Sequence, residues 1–434
     1  MKRILWFRRD LRIDDNAILA NATGEVLPIF IFDKNILCKL PDNDKRVSFI
    51  YDSVLKLKKE LKDIGLDLAI FFDTPENVFR DLRKDFDEVL CSCDFDAYSI
   101  RRDQEIEKLI IMRRFYDSFL IHPSDGLKSD GTPYKVFTPF YKNLQVIWES
   151  RNINELRPNQ NSKLTNFDFS HFPSLEDIGF IKTELPIFLE LSAKNVLEKF
   201  KIKIRDYQKD RDFFYKDGTS NMSIYLRFGL ISPKQIFNIV KGLDGGEFYI
   251  RELFWREFYN YILYHFPHSE FDNFKNIIIP WDNDEQKYKA WCNGNTGVPI
   301  IDASMKCLNQ TGTMPNRLRM VVASFLCKNL LIDWIFGERY FALKLLDYEA
   351  SSNVGSWQWG ASTGADSVPY FRVFNPYLQS EKFDKDAIFI KKYLPELRNQ
   401  SAKNIHKENQ KEIVNIKLSS KNAIEVFKYA KNSN

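Results

Sequence analysis

The fold class is decided by residues 47–73, VSFIYDSVLKLKKELKDIGLDLAIFFD, which join a one-sided helix to a buried strand. The apolar residues of the first part recur at helical spacing and form one stripe: Val47, Ile50, Tyr51, Val54, Leu57, Leu61 and Ile64. Leu68–Phe72 is then an unbroken apolar run closed by Asp73, which is typical of a strand buried on both faces. A helix followed at once by such a strand predicts an α/β domain.

Three further apolar runs predict more strands of the same sheet. Ile4–Phe7, Val26–Phe32 and Val89–Cys91 are short and bounded by charged or turn residues, as parallel strands are. We therefore expect a Rossmann-like parallel sheet with right-handed crossovers. The first strand is not followed by GxGxxG, so this dinucleotide-binding motif is missing there.

The chain changes character after the α/β part. Residues 150–195 are polar, aperiodic and punctuated by proline, which predicts a long linker over the surface. From about residue 195 the pattern is helical, with Ser192 and the pair Ser232-Pro233 as helix starts. The sequence thus predicts an α/β domain at 1–130, a linker at 131–194 and an all-α domain at 195–434.

Composition narrows the class of protein. Of 434 residues, 44% are hydrophobic and 28% charged, which indicates a soluble globular chain and excludes disordered and collagen-like ones. There is no run of about 18 apolar residues and no signal-peptide core. The six cysteines form no CxxC pair, which predicts free thiols and a cytoplasmic location. Because the net charge is only +4, nucleic-acid binding would require a local basic surface.

The segment GTSNMSIYLRFGLISP, residues 218–233, gathers hydroxyl groups and backbone donors on a turn that enters a helix. This arrangement can bind phosphate, although an ordinary capped helix start has the same pattern. Upstream, Tyr207 and Arg211 are four residues apart and would share a helix face.

The segment RELFWREFYNYI, residues 251–262, has polar and aromatic groups at one helical spacing. Glu252, Trp255, Arg256 and Tyr259 face one way on a helix. A carboxylate, an indole and a guanidinium on one face suit a planar ligand that stacks and hydrogen-bonds. The alternative is an ion pair between Glu252 and Arg256 beside a half-buried tryptophan.

Six of the eight tryptophans lie between residues 255 and 359. The last two, Trp357 and Trp359, follow a third segment with polar side chains. Asn316 and Met320 are helical neighbours, and Asp347, Glu349 and Asn353 follow in a segment predicted to be loop-like. Next to tryptophans these side chains indicate a polar site in an aromatic pocket; a long core helix with a tryptophan-rich cap is the alternative.

These motifs, in this order, resemble those of the cryptochrome/photolyase flavoproteins, most of all the class I cyclobutane-pyrimidine-dimer photolyases. The resemblance spans nearly the whole chain. Its blocks are WFRRDLRIDDN at 6–16, YKVFTPF at 134–140, WREF at 255–258, TGVPIIDASM at 296–305, NRLRM at 316–320 and SWQWGASTGADSVPYFRVFNP at 356–376. It implies an α/β antenna domain joined by the linker to an all-α FAD-binding domain.

The resemblance implies a non-covalent FAD that is reduced and anionic in the active state. Arg319 and Asp347 match a charged pair beside the flavin ring. Asn353 matches the residue that faces flavin N5, and its neutral amide is the choice of photolyases. The other implied cofactor contacts are Tyr207, Thr219, Ser220, Asn221, Ser223, Tyr249, Glu252, Arg256, Asn316 and Glu349.

The resemblance also implies light-driven electron transfer from FAD to a pyrimidine dimer flipped out of DNA. Glu252 matches the carboxyl group that hydrogen-bonds the dimer. Trp255 and Trp359 match aromatic walls, where stacking contributes ~1–3 kcal/mol per base. The other implied substrate contacts are Arg211, Asn316, Arg317 and Met320.

A tryptophan relay is implied as well. Trp357, Trp334 and Trp281 match a triad that passes an electron from the surface to photoexcited, oxidised flavin; the alternative is three core tryptophans. The chemistry requires no metal and no protein nucleophile.

The chain departs from the family at several positions. In TGTMPNRLRM, residues 311–320, Thr313 and Pro315 replace the tryptophan and histidine of TGWMHNRLRM. Thr313 removes a large ring next to the implied cofactor pocket, and Pro315 removes a backbone donor at its entrance. Asn316 and Met320 stand where (6-4) photolyases have histidines, which argues against that specificity. At 98 and 99, where folate-binding members have Asn and Glu, stand Tyr and Ser, so the antenna pigment is left unknown.

Two rival functions remain. A cryptochrome-type blue-light photoreceptor usually has a regulatory tail, whereas here a short Lys/Asn-rich end follows the helices. A flavoprotein that only stores electrons leaves the lesion-pocket residues unexplained. We expect a monomer that binds dimer-containing DNA and no membrane.

Overall fold

The computed structural model describes residues 1–151, 154–186, 189 and 192–432. The chain divides into two compact units: residues 1–132, 141–204 and 220–257 form the first, and residues 133–140, 205–219 and 258–434 form the second. The three regions expected from the sequence stay a prediction. Residues 152, 153, 187, 188, 190 and 191 of the expected linker, and residues 433 and 434, lie outside the described residues.

The first unit contains a parallel sheet, as predicted. Its strands are β1 (Lys2–Phe7), β2 (Gly24–Asp33), β3 (Ala69–Asp73), β4 (Glu88–Ser92), β5 (Ile111–Phe115) and β6 (Ser162–Leu164). The order is β3-β2-β1-β4-β5, and every pair is parallel. β3 pairs with residues 29–33 of β2, and β6 pairs with residues 24–26 of the same strand.

The strand predictions are confirmed for β1 to β4, whereas β5 and β6 were missed. β5 has the sequence IMRRF, and Ile111 at its start is 68% exposed, so this edge strand lacks the apolar run of a buried one. β6 corrects the prediction of an aperiodic linker over 150–195. Its three residues are too few for a period to be visible.

The helices of the first half are α1 (Ala17–Asn21), α2 (Lys34–Leu37), α3 (Lys45–Asp63), α4 (Pro75–Leu82), α5 (Ala97–Glu107), α6 (Phe137–Glu149) and α7 (Ala193–Lys203). α3 is the helix predicted from its apolar stripe, and Val47, Val54 and Leu57 are buried. Ile64 lies just beyond the last helical residue and is 40% exposed, so its place in the stripe was wrong.

The second half of the chain is helical, and among the described residues no strand follows β6. Its helices are α8 (Tyr207–Asp210), α9 (Ser223–Phe228), α10 (Pro233–Val240), α11 (Gly246–His265), α12 (Glu285–Asn293), α13 (Pro299–Thr311), α14 (Asn316–Ser324), α15 (Trp334–Lys344), α16 (Ala350–Ala361), α17 (Pro376–Phe383), α18 (Ile388–Tyr393), α19 (Ala402–Ile405) and α20 (Ile416–Asn432). Ser192 and Ser232 cap α7 and α10, as predicted. No helix in the described ranges has the length and apolarity to cross a bilayer.

A turn of π-helix, Phe325–Asn329, continues α14 and contains a buried lysine. Lys328 is 0% exposed, and its Nζ donates to Ser362 Oγ at 2.9 Å and to the Ala361 carbonyl at 3.3 Å. The same nitrogen lies 3.2 Å from the centroid of the Phe427 ring. Burial lowers the pKa of Lys328 to about 7, since a charged ammonium group is poorly solvated there.

Candidate cofactor and substrate site

In the second unit the structure brings Arg319 and Asp347 together. Arg319 lies on α14, and its Nη2 donates to both carboxylate oxygens of Asp347, at 3.1 and 2.9 Å. Its Nε donates to the Met314 carbonyl at 2.8 Å, which fixes the guanidinium plane. Charge-assisted pairs of this kind are short and directional. The pair therefore offers a fixed, polar edge to a planar ligand.

Asn353 lies inside α16, whereas the sequence predicted a loop-like segment for it. Its Nδ2 donates to Glu338 twice, to Oε1 at 3.0 Å and to the backbone carbonyl at 3.1 Å. The run ASSNVG has low helix propensity, and burial of one face overrides it. Burial also raises the pKa of Glu338. Sequence reasoning missed Glu338, because nothing in the local pattern links positions 338 and 353.

Two acidic residues lie immediately before the start of α16. Asp347 and the buried Glu349 precede the helix, and Glu349 is its N-cap residue. The Ser352 hydroxyl donates to Glu349 Oε2 at 3.2 Å. The Ser351 hydroxyl is buried and has no hydrogen-bond partner among the described residues. A buried donor without an acceptor indicates a place for a polar ligand.

On α14, Arg317 binds Asp212, which the sequence did not single out. The Arg317 Nη2 donates to the Asp212 carboxylate at 2.6 Å, and the guanidinium carbon lies 4.9 Å from the Phe383 ring centroid. The Arg317 Nε is buried and finds no partner within the described residues. Asn316 is exposed and Met320 half-buried on the same helix. Arg317 thus has donor capacity left for a ligand.

The three tryptophans of the predicted relay belong to one apolar cluster of the second unit. Trp334 and Trp357 are 1% and 2% exposed, and the half-buried Trp281 packs against the same cluster. The Trp334 Nε1 donates to Asn273 Oδ1 at 2.8 Å, and Trp281 contacts the Phe427 ring at 5.7 Å between centroids.

Three further residues of the second unit have local partners. Trp359 stacks on Phe374, with centroids 6.4 Å apart and planes at 30°. The Arg211 guanidinium carbon lies 5.5 Å from the Tyr207 ring centroid, so the expected neighbours do meet.

Gly218, which precedes Thr219, lies very close to the backbone of Asp210. A Cβ on Gly218 would lie 2.6 Å from the Asp210 carbonyl oxygen, so only glycine fits this close approach.

In the first unit, Tyr249 and Ser220 lie together. Their side chains are hydrogen-bonded, and burial raises the pKa of Tyr249 to about 12. Ser220 Oγ also accepts from the Met222 N–H at 3.2 Å. Asn221 has φ 55°, a left-handed conformation that asparagine tolerates well. This turn leads into α9, whose first residue, Ser223, is exposed.

On α11, Glu252, Trp255 and Arg256 are all half-buried. The Arg256 Nη1 donates to the Ser118 carbonyl at 2.6 Å, and its guanidinium carbon lies 4.0 Å from the Phe119 ring centroid. Desolvation, followed by the nearby charge of Arg9, lowers the pKa of Arg256 to about 9. An anion beside Arg256 would relieve this penalty.

The polar side chains described above in each unit fit the chemical groups of FAD. In the first unit, hydroxyl groups on the turn before α9 and a desolvated guanidinium suit a diphosphate. In the second unit, the Ser351 Oγ, which has no partner within the described residues, and the pair of Arg319 and Asp347 suit polar edges of a cofactor.

Tyr98 and Ser99, where folate-binding members of the family have Asn and Glu, are both hydrogen-bonded to aspartates of this chain. The Tyr98 hydroxyl donates to the Asp33 carboxylate. The Ser99 hydroxyl donates to Asp96 at 2.8 Å, and Asp96 caps α5. Neither contact identifies a pigment.

Two family models match the chain. Residues 3–157 match the model described as DNA photolyase, and residues 249–431 match the FAD binding domain of DNA photolyase. The deoxyribodipyrimidine photo-lyase of Buchnera aphidicola is 36% identical and covers 99% of both chains. That of Vibrio cholerae is 34% identical over 93% of this chain and 92% of its own.

Solved structures are similar over the full length. A class III photolyase from Agrobacterium tumefaciens is 31% identical with a TM-score of 0.86, covering 99% of this chain and 98% of its own. A photolyase from Sulfolobus tokodaii, solved with two FAD molecules, is 33% identical with a TM-score of 0.86, covering 99% and 100%. A cryptochrome from Synechocystis is 25% identical with a TM-score of 0.88, covering 98% and 99%.

Proposed function

The chain belongs to the DNA photolyase family, and we propose that it repairs cyclobutane pyrimidine dimers by electron transfer to a dimer flipped out of the duplex. It is a DNA-repair enzyme, a deoxyribodipyrimidine photo-lyase, and residues 249–431 match the FAD-binding domain of the family. FAD, when bound and reduced, supplies the electron under light. The specificity, the path of the electron and the residue roles below are our proposals.

The observation that carries the proposal is the environment of Asn353. Its amide is neutral, and its orientation is fixed by two hydrogen bonds to Glu338. A neutral amide stabilises a reduced, anionic flavin without giving it a proton. The pair of Arg319 and Asp347 adds a fixed charged edge in the same unit. We assign cofactor binding to these residues and to Tyr207, Thr219, Ser220, Asn221, Ser223, Tyr249, Glu252, Arg256, Asn316 and Glu349.

Binding of the lesion is assigned to polar and aromatic side chains. Glu252 hydrogen-bonds the base edge of the dimer and stabilises its radical anion. Trp255 and Trp359 provide ring faces for stacking. A dimer stacks poorly in DNA, which lowers the cost of flipping it out. The remaining contacts are assigned to Arg211, Asn316, Arg317 and Met320.

Activation is assigned to the relay of Trp357, Trp334 and Trp281. These residues pass an electron inward when FAD is oxidised, and repair by reduced protein does not require them. We further propose that the protein acts as a cytoplasmic monomer; its six cysteines are all free thiols.

The similarity to the Synechocystis cryptochrome favours a blue-light photoreceptor as the second candidate function. One assay separates the two. Chemically reduced protein is mixed with an oligonucleotide carrying one cyclobutane thymine dimer, illuminated with near-UV or blue light, and intact thymines are quantified. We expect repair in light and none in darkness, and a matched oligonucleotide with a (6-4) product stays unrepaired. Illumination that leaves the dimer intact, in protein with a normal flavin spectrum, would contradict the proposal and favour the photoreceptor. The same absorption spectrum reveals an antenna pigment as a further near-UV or violet band.

A further inference from the structure

The second unit contains a cavity of about 190 Å³ beside Thr313 and Pro315, two positions at which the chain departs from the family motif. In another protein, an engineered cavity of about 150 Å³ with apolar walls binds benzene. A ring system larger than benzene therefore fits here. Thr313 stands where the motif has tryptophan, so the cavity lies where this chain lacks an indole ring. None of the lining residues is among those assigned above to FAD or to the lesion.

The walls of the cavity are largely aromatic. Phe214 and Phe389 line it and are buried, with ring centroids 5.9 Å apart and planes at 64°. The Tyr393 ring centroid lies 4.9 Å from that of Phe389. Tyr215 and Ile388 also line the cavity and are 42% and 49% exposed, so apolar surface is open to solvent at its mouth. Such walls favour a flat apolar ring, because burial and ring contacts both stabilise it.

One side of the cavity offers neutral hydrogen-bonding groups. The Thr311 hydroxyl donates to the Cys307 carbonyl at 2.8 Å, so the Thr313 hydroxyl, which lies 3.0 Å from it, donates to Thr311. Lone pairs of Thr313 Oγ1 then remain to accept a hydrogen bond from a ligand. The Tyr393 hydroxyl shares a hydrogen bond with the Cys307 thiol, and burial raises the pKa of Tyr393, so the phenol stays neutral. A ring N–H therefore suits this side of the cavity.

Lys392 adds a positive charge to the lining of the cavity. It is exposed, and its Nζ lies 5.2 Å from the centroid of the Tyr393 ring. Across the part of the chain that the structure describes, no carboxylate forms an ion pair with Lys392. The ammonium group therefore attracts an anionic substituent that stays at the solvent side while the ring of the ligand is buried.

We propose that this cavity binds a bicyclic aromatic ring of indole size that carries an N–H donor and an anionic substituent. The ring packs against the aromatic walls, the N–H donates to Thr313 Oγ1, and the anion lies near Lys392. Binding is non-covalent and needs neither light nor reduced FAD, so it is independent of the proposed repair function. The Met314 carbonyl, next to Thr313, accepts from Arg319 Nε at 2.8 Å. An occupant of the cavity therefore supports the backbone that orients Arg319.

The test uses the full chain with FAD bound, so that the flavin site is filled. Indole-3-acetate and indole are titrated separately by isothermal titration calorimetry in darkness, and we expect both to bind, indole-3-acetate more tightly. Lys392→Met should weaken binding of indole-3-acetate several-fold and leave that of indole unchanged. The matched control is Lys391→Met, outside the cavity, which changes neither. Thr313→Trp fills the cavity and should weaken binding of both probes at least about ten-fold, or about 1.4 kcal/mol.

Flavin absorption and circular dichroism show whether each variant is folded and holds FAD. Absence of binding to the wild-type protein, or binding that survives Thr313→Trp, would overturn the proposal. If Thr313→Trp does not fold, the exposed Lys392 decides, because equal affinity of Lys392→Met and wild type for indole-3-acetate would overturn it too. Trp359→Ala is expected to keep binding. Loss of binding in Trp359→Ala alone would place the probe in the lesion site and contradict the proposal.

Discussion

The backbone of Gly337 lies directly against the indole of Trp357. A Cβ at this position would lie 2.2 Å from Cη2 and 2.3 Å from Cζ3 of that ring. Even a methyl group would therefore displace the ring or the helix that carries Gly337. The position of Trp357, the innermost tryptophan of the proposed relay, thus depends on a missing side chain in α15.

Gly337→Ala is expected to lower the free energy of unfolding by ~1–3 kcal/mol, because it overpacks the core. It also displaces Trp357, so photoreduction of oxidised FAD slows. Chemical denaturation and transient absorption measure the two effects. Gly360→Ala is the matched control on α16, where a Cβ would lie 3.2 Å from that of Ala323. An equal loss in both variants would contradict this account.

The pair of Arg319 and Asp347 gives a second prediction. A double-mutant cycle with Arg319→Ala and Asp347→Ala should show a coupling free energy of roughly 0.5–3 kcal/mol, since either single variant leaves a charge without its partner. Denaturation measures the cycle. FAD titration should show weaker binding for both single variants. Strictly additive losses would mean that the pair contributes nothing as a pair.

Glu252→Gln is expected to lower the quantum yield of repair several-fold while FAD stays bound, because the amide does not replace the carboxyl group that hydrogen-bonds the dimer and stabilises its radical anion. Repair is measured with pre-reduced protein, and cofactor content from the flavin absorption. Glu247→Gln, an exposed site on the same helix, serves as the control. An unchanged yield in Glu252→Gln would remove Glu252 from the mechanism.

Arg317→Ala should weaken binding of dimer-containing DNA and reduce the slope of log K against log salt by about 1, as expected for one lost phosphate contact. Fluorescence anisotropy over a salt series gives the slope. Asp212→Asn is the control, because it breaks the ion pair at 2.6 Å but keeps the arginine charge. If both variants change the slope alike, Arg317 acts through the fold and not through phosphate.

Lys328 predicts how stability depends on pH. Its pKa is lowered from the ordinary 10.5 to about 7 in the native state, so the unfolded chain binds the proton more strongly between these values. Unfolding free energy should therefore rise with pH from about 7 to 10.5, by an amount on the order of a few kcal/mol. Burial also lowers the pKa of a second lysine, Lys275, which is present in wild type and in Lys328→Met alike. The contribution of Lys328 is therefore obtained as the unfolding free energy of wild type minus that of Lys328→Met. A flat difference would show that Lys328 stays charged in the fold.

The parts of the fold that the sequence predicts are those with a regular apolar period. β1 to β4 and α3 follow from it, because burial on two faces or on one stripe leaves a visible pattern. β5 lacks the pattern, since an edge strand with Arg113 and Arg114 is exposed. β6 is too short to show one.

The candidate site was predictable only through motifs, and its contacts were not. The helical spacing around Asn316 and the sequence motifs shared with the family identify the residues of the site. The hydrogen bonds of Asn353 to Glu338 and of Arg317 to Asp212, however, join residues that are far apart in the sequence. Tertiary packing alone creates such pairs. The same is true of Trp291, whose contact with Trp357 has no counterpart in the local sequence.

The three residues of β6 have a consequence for solubility. β3 covers only residues 29–33 on its side of β2, and β6 covers residues 24–26 there. The Gly24 N–H donates to Asn161 and the Val26 carbonyl accepts from Thr165, so backbone groups at this margin are occupied. Without β6 they would form a template to which a strand from another molecule could anneal. A short piece of the segment expected to be a linker thus protects the sheet against aggregation.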